Sequence, residues 1–220
     1  MTMARLLVFA RAPVAGRVKT RLAPALGASG AARLHAAFVR HTLEQAAAAR
    51  PYELQLWGAG ADPGGFLAAT AGATGATLAW QSGADLGARM AHALASATAD
   101  GRPAVIVGTD CPWLDAGSLA TALARLAHRD AVLGPATDGG YVLLGLHRVA
   151  PGLFTDVAWG TDAVLATTRA RMAQAGWRWH ELPPRPDVDR PDDLSAVGRL
   201  GRRWAALACP GRAATAGLRP

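Results

Sequence analysis

The sequence predicts an α/β domain with a mostly parallel, mixed sheet flanked by helices. Short apolar runs of β character alternate with longer Ala-rich helical stretches, the pattern of a parallel sheet covered by helices. The 220 residues, 51% hydrophobic and 18% charged, suffice for one buried core and exclude disordered, collagen-like and coiled-coil chains. Gly and Pro cluster at the ends of the apolar runs, so no linker is expected before about residue 205, leaving 206 to 220 as a basic tail.

The apolar runs Arg5 to Ala10, Glu53 to Trp57, Thr77 to Trp80, Ala104 to Gly108 and Ala131 to Gly134 are predicted strands. Between them fall predicted helices over Ser29 to Ala49, Pro63 to Thr70, Leu86 to Ala99 and Ala116 to Ala127, where runs such as Ala46 to Ala49 supply high helix propensity. After Pro135 the rhythm changes. Tyr141 to Leu146 follows across a short Thr-Asp-Gly-Gly turn, too short for a parallel crossover, so this strand either runs antiparallel or leaves the sheet. A helix over Asp162 to Ala175, a strand over Trp177 to Leu182 and a last helix from about Pro191 complete the core.

Charge and cysteine usage narrow the function classes. The formal charge is +7, but Arg199, Arg202, Arg203, Arg212 and Arg219 supply +5 from residues 199 to 220, which hold no acid, leaving +2 for the rest. That tail reads as a solvated terminus, and nucleic acid is not an expected partner. Apolar runs such as Leu6 to Ala10 fall far short of the roughly 20 residues of a membrane span. Arg11 interrupts the first run before a signal-peptide core can form, so the expected compartment is the cytoplasm. Cys111 and Cys209 form no CxxC pair and suggest neither a zinc site nor a disulfide. Of 23 basic residues, 22 are Arg and one is Lys19.

Ligands of open α/β sheets bind beyond the carboxyl ends of the strands, so the residues after each strand carry the chemistry. The loop after the first strand brings Arg11, Arg17, Lys19 and Arg21 together with Gly16 and no acid, a composition suited to nucleotide phosphates, although neither P-loop nor GxGxxG spacing is present. Asp110 follows a buried strand directly, where a carboxylate is costly unless it binds a cation, and is a candidate Mg²⁺ or Mn²⁺ ligand. Asp115 better fits the cap of the next helix, and Cys111 reads as a packed residue.

Asp138-Gly139-Gly140 is first a turn, whose two glycines also permit close approach to a sugar or phosphate with Asp138 facing it. Asp187 and Asp189 point the same way in an extended stretch and repel unless a cation lies between them, whereas Asp192 and Asp193 suit the first turn of a helix. Asp85 and Arg89, in a weaker segment after the third strand, read as a helix cap and its i+4 pair, and are carried as candidate nucleotide-binding residues. Trp159 is either a stacking platform for an acceptor or core, with core favoured.

The stretches FARAPVAGRVKTRLAP (9–24), QSGADLGARM (81–90), VGTDCPWL (107–114), GPATDGGYVLLGL (134–146) and DVDRPDDL (187–194) resemble, in order, the radical-SAM/selenodomain-associated (arsenosugar-biosynthesis-type) transferases of the GT-A glycosyltransferase superfamily. They are also similar to those of 2-phospholactate guanylyltransferase. The resemblance implies a GT-A-like, Rossmann-type nucleotide-diphospho-sugar transferase fold. In it Arg17, Lys19 and Arg21 meet phosphates, Asp110 holds the metal with Asp187 and Asp189 as later ligands, and Asp138, Gly139 and Gly140 lie near the transferred group. Arg11 stands where members often carry Lys, and Thr109 where Ser is common.

The expected activity is metal-dependent glycosyl transfer from a nucleoside-diphosphate sugar to a small acceptor, the metal acting as a Lewis acid on the leaving diphosphate. The alternative is nucleotidyl transfer from a nucleoside triphosphate to a phosphorylated small molecule with release of pyrophosphate, which the cation-rich loop suits at least as well. A non-catalytic nucleotide sensor has little use for the acidic set.

Overall fold

A computed structural model describes residues 4–51 and 53–209. Its centre is a seven-stranded sheet in the order β3-β2-β1-β4-β6-β5-β7. β1 (Arg5–Arg11), β2 (Glu53–Ala59), β3 (Thr77–Trp80) and β4 (Ala104–Val107) run parallel, and all four residues of β4 are buried. β6 (Tyr141–Leu146) lies antiparallel between β4 and β5 (Ala131–Pro135). This decides the alternative left by the sequence: the strand after the Asp-Gly-Gly turn stays in the sheet, because a short turn returns the chain as a hairpin and pushes β5 outward onto β7 (Trp179–Glu181).

The helices cover both faces. α1 (Ala23–Ala48), α2 (Phe66–Thr74) and α4 (Ala116–Leu126) bury Val39, Leu43, Leu67, Leu119 and Leu126 against one face. α3 (Leu86–Thr98) and α5 (Val164–Gln174) bury Met90, Leu94, Leu165 and Met172 against the other. α1 starts six residues before the expected Ser29, because Pro24 sits in its first turn and Gly27 takes up a bend at φ 69° rather than ending it. Asp85 and Asp115 cap α3 and α4, accepting from the amides of Ala88 (2.7 Å) and Ser118 (2.8 Å).

A 3₁₀ turn (Pro191–Asp193), α6 (Leu194–Gly198) and α7 (Arg202–Ala208) replace the single last helix expected from Pro191, the break falling at Gly201 with φ 133°. Trp204 of α7 packs on Phe38 of α1 at 5.4 Å and meets His41 edge-on. The boundary expected at residue 205 thus falls inside a packed helix. Of the expected tail, 210–220 lie outside the described residues.

Candidate active site

A cleft of about 760 Å³ opens over the carboxyl ends of β1 and β4 and the β5–β6 turn. Eleven of the predicted site residues line it: Arg11, Arg17, Lys19, Arg21, Asp85, Arg89, Asp110, Asp138, Gly140, Asp187 and Asp189. The topology brings them together, since β1 and β4 are neighbours in the centre of the sheet and β6 returns beside them.

Its centre is Lys19, held in the left-handed region at φ 47° with its side chain only 4% exposed. The ammonium meets Asp110 Oδ1 at 2.9 Å, donates to the Val188 carbonyl and stands 4.0 Å from Asp189 Oδ1. The Asp110 carbonyl in turn accepts from the Val188 amide at 2.8 Å. Arg21 pairs with Asp189, and Asp193 accepts from the amides of Asp189 (2.9 Å) and Arg190 (2.7 Å). So Lys19 joins the end of β4 to the 187–189 segment, and Asp193 fixes that segment from behind.

Asp187 has no ion-pair partner among the described residues. Burial, then the charges of Asp138 and Asp110, push its carboxyl above the usual aspartate range. Asp138 stands at the exposed tip of the β5–β6 turn and accepts from the Gly140 amide at 2.9 Å. Gly139 does not face the cleft. At φ 90° it packs under α5, where a Cβ would lie 2.4 Å from the Asp162 carbonyl oxygen, and its own carbonyl accepts from Leu165 at 2.9 Å. Gly16 also stands off the lining, in an exposed turn at φ 76°.

The expected Asp85–Arg89 pair does not form. Asp85 is occupied in capping α3, and Arg89 Nε instead donates to the Gly83 carbonyl at 3.1 Å. Arg89, Arg11 and Arg17, none with a carboxylate partner among the described residues, also line an adjoining recess of about 680 Å³ with Gln81 and Gly60. Trp159 lies outside the main cleft, stacked on Phe154 and edge-on to Tyr141, and borders an apolar recess of about 220 Å³.

Sequence reasoning missed His35. It lines the cleft from α1, is 6% exposed and holds the Arg11 carbonyl through Nε2 at 3.1 Å, while Nδ1 is buried without a partner. Burial pushes its pKa below the ordinary imidazole value, against the opposing charge of Asp110. The available signal was a polar residue on the apolar Leu34–Phe38 face of α1.

Among the described residues no three acidic, His or Cys side chains are grouped to hold a metal by themselves. The donor set is nonetheless all oxygen, and the unpartnered Asp187 beside Asp110 suits a hard divalent cation. Such an ion commonly takes one or two carboxylates and completes its shell with substrate phosphates and water.

Residues 42–161 match the model of a bacterial family described as "Uncharacterized protein conserved in bacteria (DUF2064)". The chain belongs to that family. DUF2064 carries no activity in its description, and no curated protein matches the sequence. A protein of Desulfovibrio desulfuricans G20, provisionally described as a nucleotide-diphospho-sugar transferase, is 33% identical, with 94% of this chain and 90% of that one covered and a TM-score of 0.81. A cytidylyltransferase of Leptospira borgpetersenii shares the fold at 14% identity (94% and 92% covered, TM-score 0.59). So does Rv0371c of Mycobacterium tuberculosis H37Rv in complex with manganese, at 20% identity (89% and 97% covered, TM-score 0.53). The DUF2064 chain thus has the nucleotide-diphospho-sugar transferase fold, as its sheet and helices predict. Among the described residues no helix is long and apolar enough to cross a membrane.

Proposed function

We propose that the protein is a nucleotide-dependent transferase that moves a sugar from a nucleoside-diphosphate sugar to a small acceptor. The observation that carries this reading is the division of the cleft: Arg11, Arg17 and Arg89 converge on one flank, and Asp110, Asp138, Asp187 and Asp189 stand on the other. Guanidinium groups without carboxylate partners bind diphosphate oxygens in charge-assisted pairs. His35 supports that flank by holding the Arg11 carbonyl. The description of the 33%-identical Desulfovibrio protein points the same way.

Asp110 and Asp187 would hold a divalent cation, Mg²⁺ or Mn²⁺, and Asp189 serves more directly as the anchor of Arg21. When bound, the ion would supply charge neutralisation at the leaving diphosphate. Lys19 keeps the Asp110 carboxylate in place, and Asp138 at the turn tip is positioned to take a proton from the acceptor. Nucleotidyl transfer keeps one observation in its favour, the three guanidinium groups, which also suit a triphosphate. Against it stands the acidic flank. Beyond Asp138 the surface gathers Asp162, Asp187, Asp189 and Asp193 around Arg21 and Arg190, with Arg21 already paired to Asp189, a net-negative lining less suited to the phosphorylated acceptor that reaction needs.

The product decides. With Mn²⁺ and a panel of nucleotide sugars and nucleoside triphosphates, the account expects free nucleoside diphosphate and no pyrophosphate, lost in Asp110→Ala. Pyrophosphate release would transfer the assignment to nucleotidyl transfer.

A further inference from the structure

An apolar recess of about 220 Å³ opens off the main cleft, walled by Phe9, Leu86, Met90, Tyr141, Val142 and Trp159. Leu86, on the first turn of α3, stands at its mouth 46% exposed. No Lys, Arg or His among the described residues lines the recess, and its sole charge is Asp138. Asp138 is also the one residue shared by the main cleft, this recess and the acidic hollow beyond it. The walls are fixed. The Tyr141 ring meets Trp159 edge-on at 6.5 Å, the Tyr141 hydroxyl is buried against Met90 Sδ at 3.8 Å, and Trp159 stacks on Phe154 at 6.4 Å. A Cβ on Gly87 would meet the Trp159 indole at 2.7 Å, so α3 is seated directly against that ring.

We infer that this recess is the acceptor subsite and that it takes an uncharged alcohol with a single-ring apolar body. The inference rests on the glycosyl-transfer reading and deepens it. Size sets the body, since a cavity of about 150 Å³ holds benzene and this recess leaves room for a few substituents more. Charge sets the class: an anionic acceptor would meet the Asp138 carboxylate with no Lys, Arg or His on the recess wall to pair with, whereas a neutral ring replaces water on apolar walls. Continuity with the main cleft sets the direction, because a ring seated under Leu86 presents its hydroxyl toward Asp138. In the reaction the hydroxyl oxygen bonds to the anomeric carbon of the donor sugar. The bond from that carbon to the diphosphate oxygen breaks, and the nucleoside diphosphate leaves with the electron pair. The hydroxyl proton passes to the Asp138 carboxylate and from there to water.

Saturation-transfer NMR on the full chain, with affinities from titration, tests the assignment using benzyl alcohol, benzoate and phenyl phosphate as probes. The expected result is benzyl alcohol binding at least about tenfold more tightly than either anion. Leu86→Glu should weaken it by a further factor of about ten, and Leu86→Met should retain it, with the unfolding midpoint of each variant confirming an intact fold. Equal or tighter binding of benzoate or phenyl phosphate overturns the uncharged-acceptor assignment, and so does absence of benzyl alcohol binding. Either result leaves the nucleotide reading intact, since that is measured separately by the thermal shift with Mn²⁺ and nucleotides. Loss of that nucleotide shift overturns the transferase reading and the acceptor assignment with it.

Discussion

Lys19, the lone lysine among 23 basic residues, is the residue on which the site turns. The composition singled it out and the loop suggested a phosphate ligand, but its ammonium is turned inward onto Asp110 and the Val188 carbonyl. Spacing in sequence could not reveal this, because the partners lie 91 and 169 residues away and meet only through the sheet. Lys19→Met should therefore destabilise the fold by about 2 kcal/mol, the cost of leaving a partly buried charge and carbonyl without a donor, as read by denaturant unfolding. Lys19→Arg should recover only part of that loss, since a planar fork does not fit a site shaped for a compact ammonium. A wild-type unfolding midpoint in Lys19→Met would contradict the clamp. Asp110, Asp138 and the Arg11–Arg21 cations were legible because each follows a strand end, whereas His35, buried on a helix face, carried only the weak signal of polarity among apolar neighbours.

Turns and helix ends set the positions of these side chains. The Asp-Gly-Gly turn was legible as a turn, but the division of labour between its glycines was not, because it depends on Asp162, 23 residues downstream and just before α5, packing against Gly139. Gly139→Ala should cost about 2 to 4 kcal/mol, combining a positive φ with a Cβ driven into the Asp162 backbone. Gly16→Ala, equally left-handed but in open space, should cost about 1 kcal/mol. Unfolding free energies of the two variants check the contrast, and equal values would contradict it. At the far edge of the sheet, Arg169 of α5 donates two hydrogen bonds to Glu181 of β7, at 2.9 and 2.7 Å, and holds that carboxyl below its usual range. A depressed carboxyl stabilises the fold above its unfolded-state value, about 4.3, and that contribution disappears as pH falls through the lower folded value. Arg169→Ala should therefore lose up to about 1 kcal/mol at pH 7, a modest figure because the pair is partly exposed, and nothing well below pH 4. Parallel thermal melts at pH 7 and pH 3 test this, and a loss that persists undiminished at pH 3 would contradict it.

For the whole molecule, the alternation of strands and helices predicted where the four parallel strands lie along the chain, because β1, β2 and β4 are runs of mostly buried apolar residues; even β3, half-exposed at the sheet edge, keeps its apolar character. The place of β6 was open in the sequence: a short turn dictates an antiparallel hairpin but not which strand the returning chain pairs with next. Pairing with β4 sets Leu143 opposite Val107 and carries the Asp138 turn to the end of β4, where Asp110 waits. That single pairing turns a set of strand-end residues into one cleft with cations on one flank and carboxylates on the other. The most direct test of this account is a thermal-shift titration of the full chain with nucleoside diphosphates and nucleotide sugars, with and without Mn²⁺, in the wild type and in Arg17→Ala/Arg89→Ala. Saturation at about 100 times Kd stabilises by about 2.7 kcal/mol, and for a chain of this size each kcal/mol is about 2 to 4 °C. The account predicts a metal-dependent rise of about 5 to 10 °C that the double variant largely abolishes; no rise with any nucleotide, or an equal rise in the double variant, would contradict it.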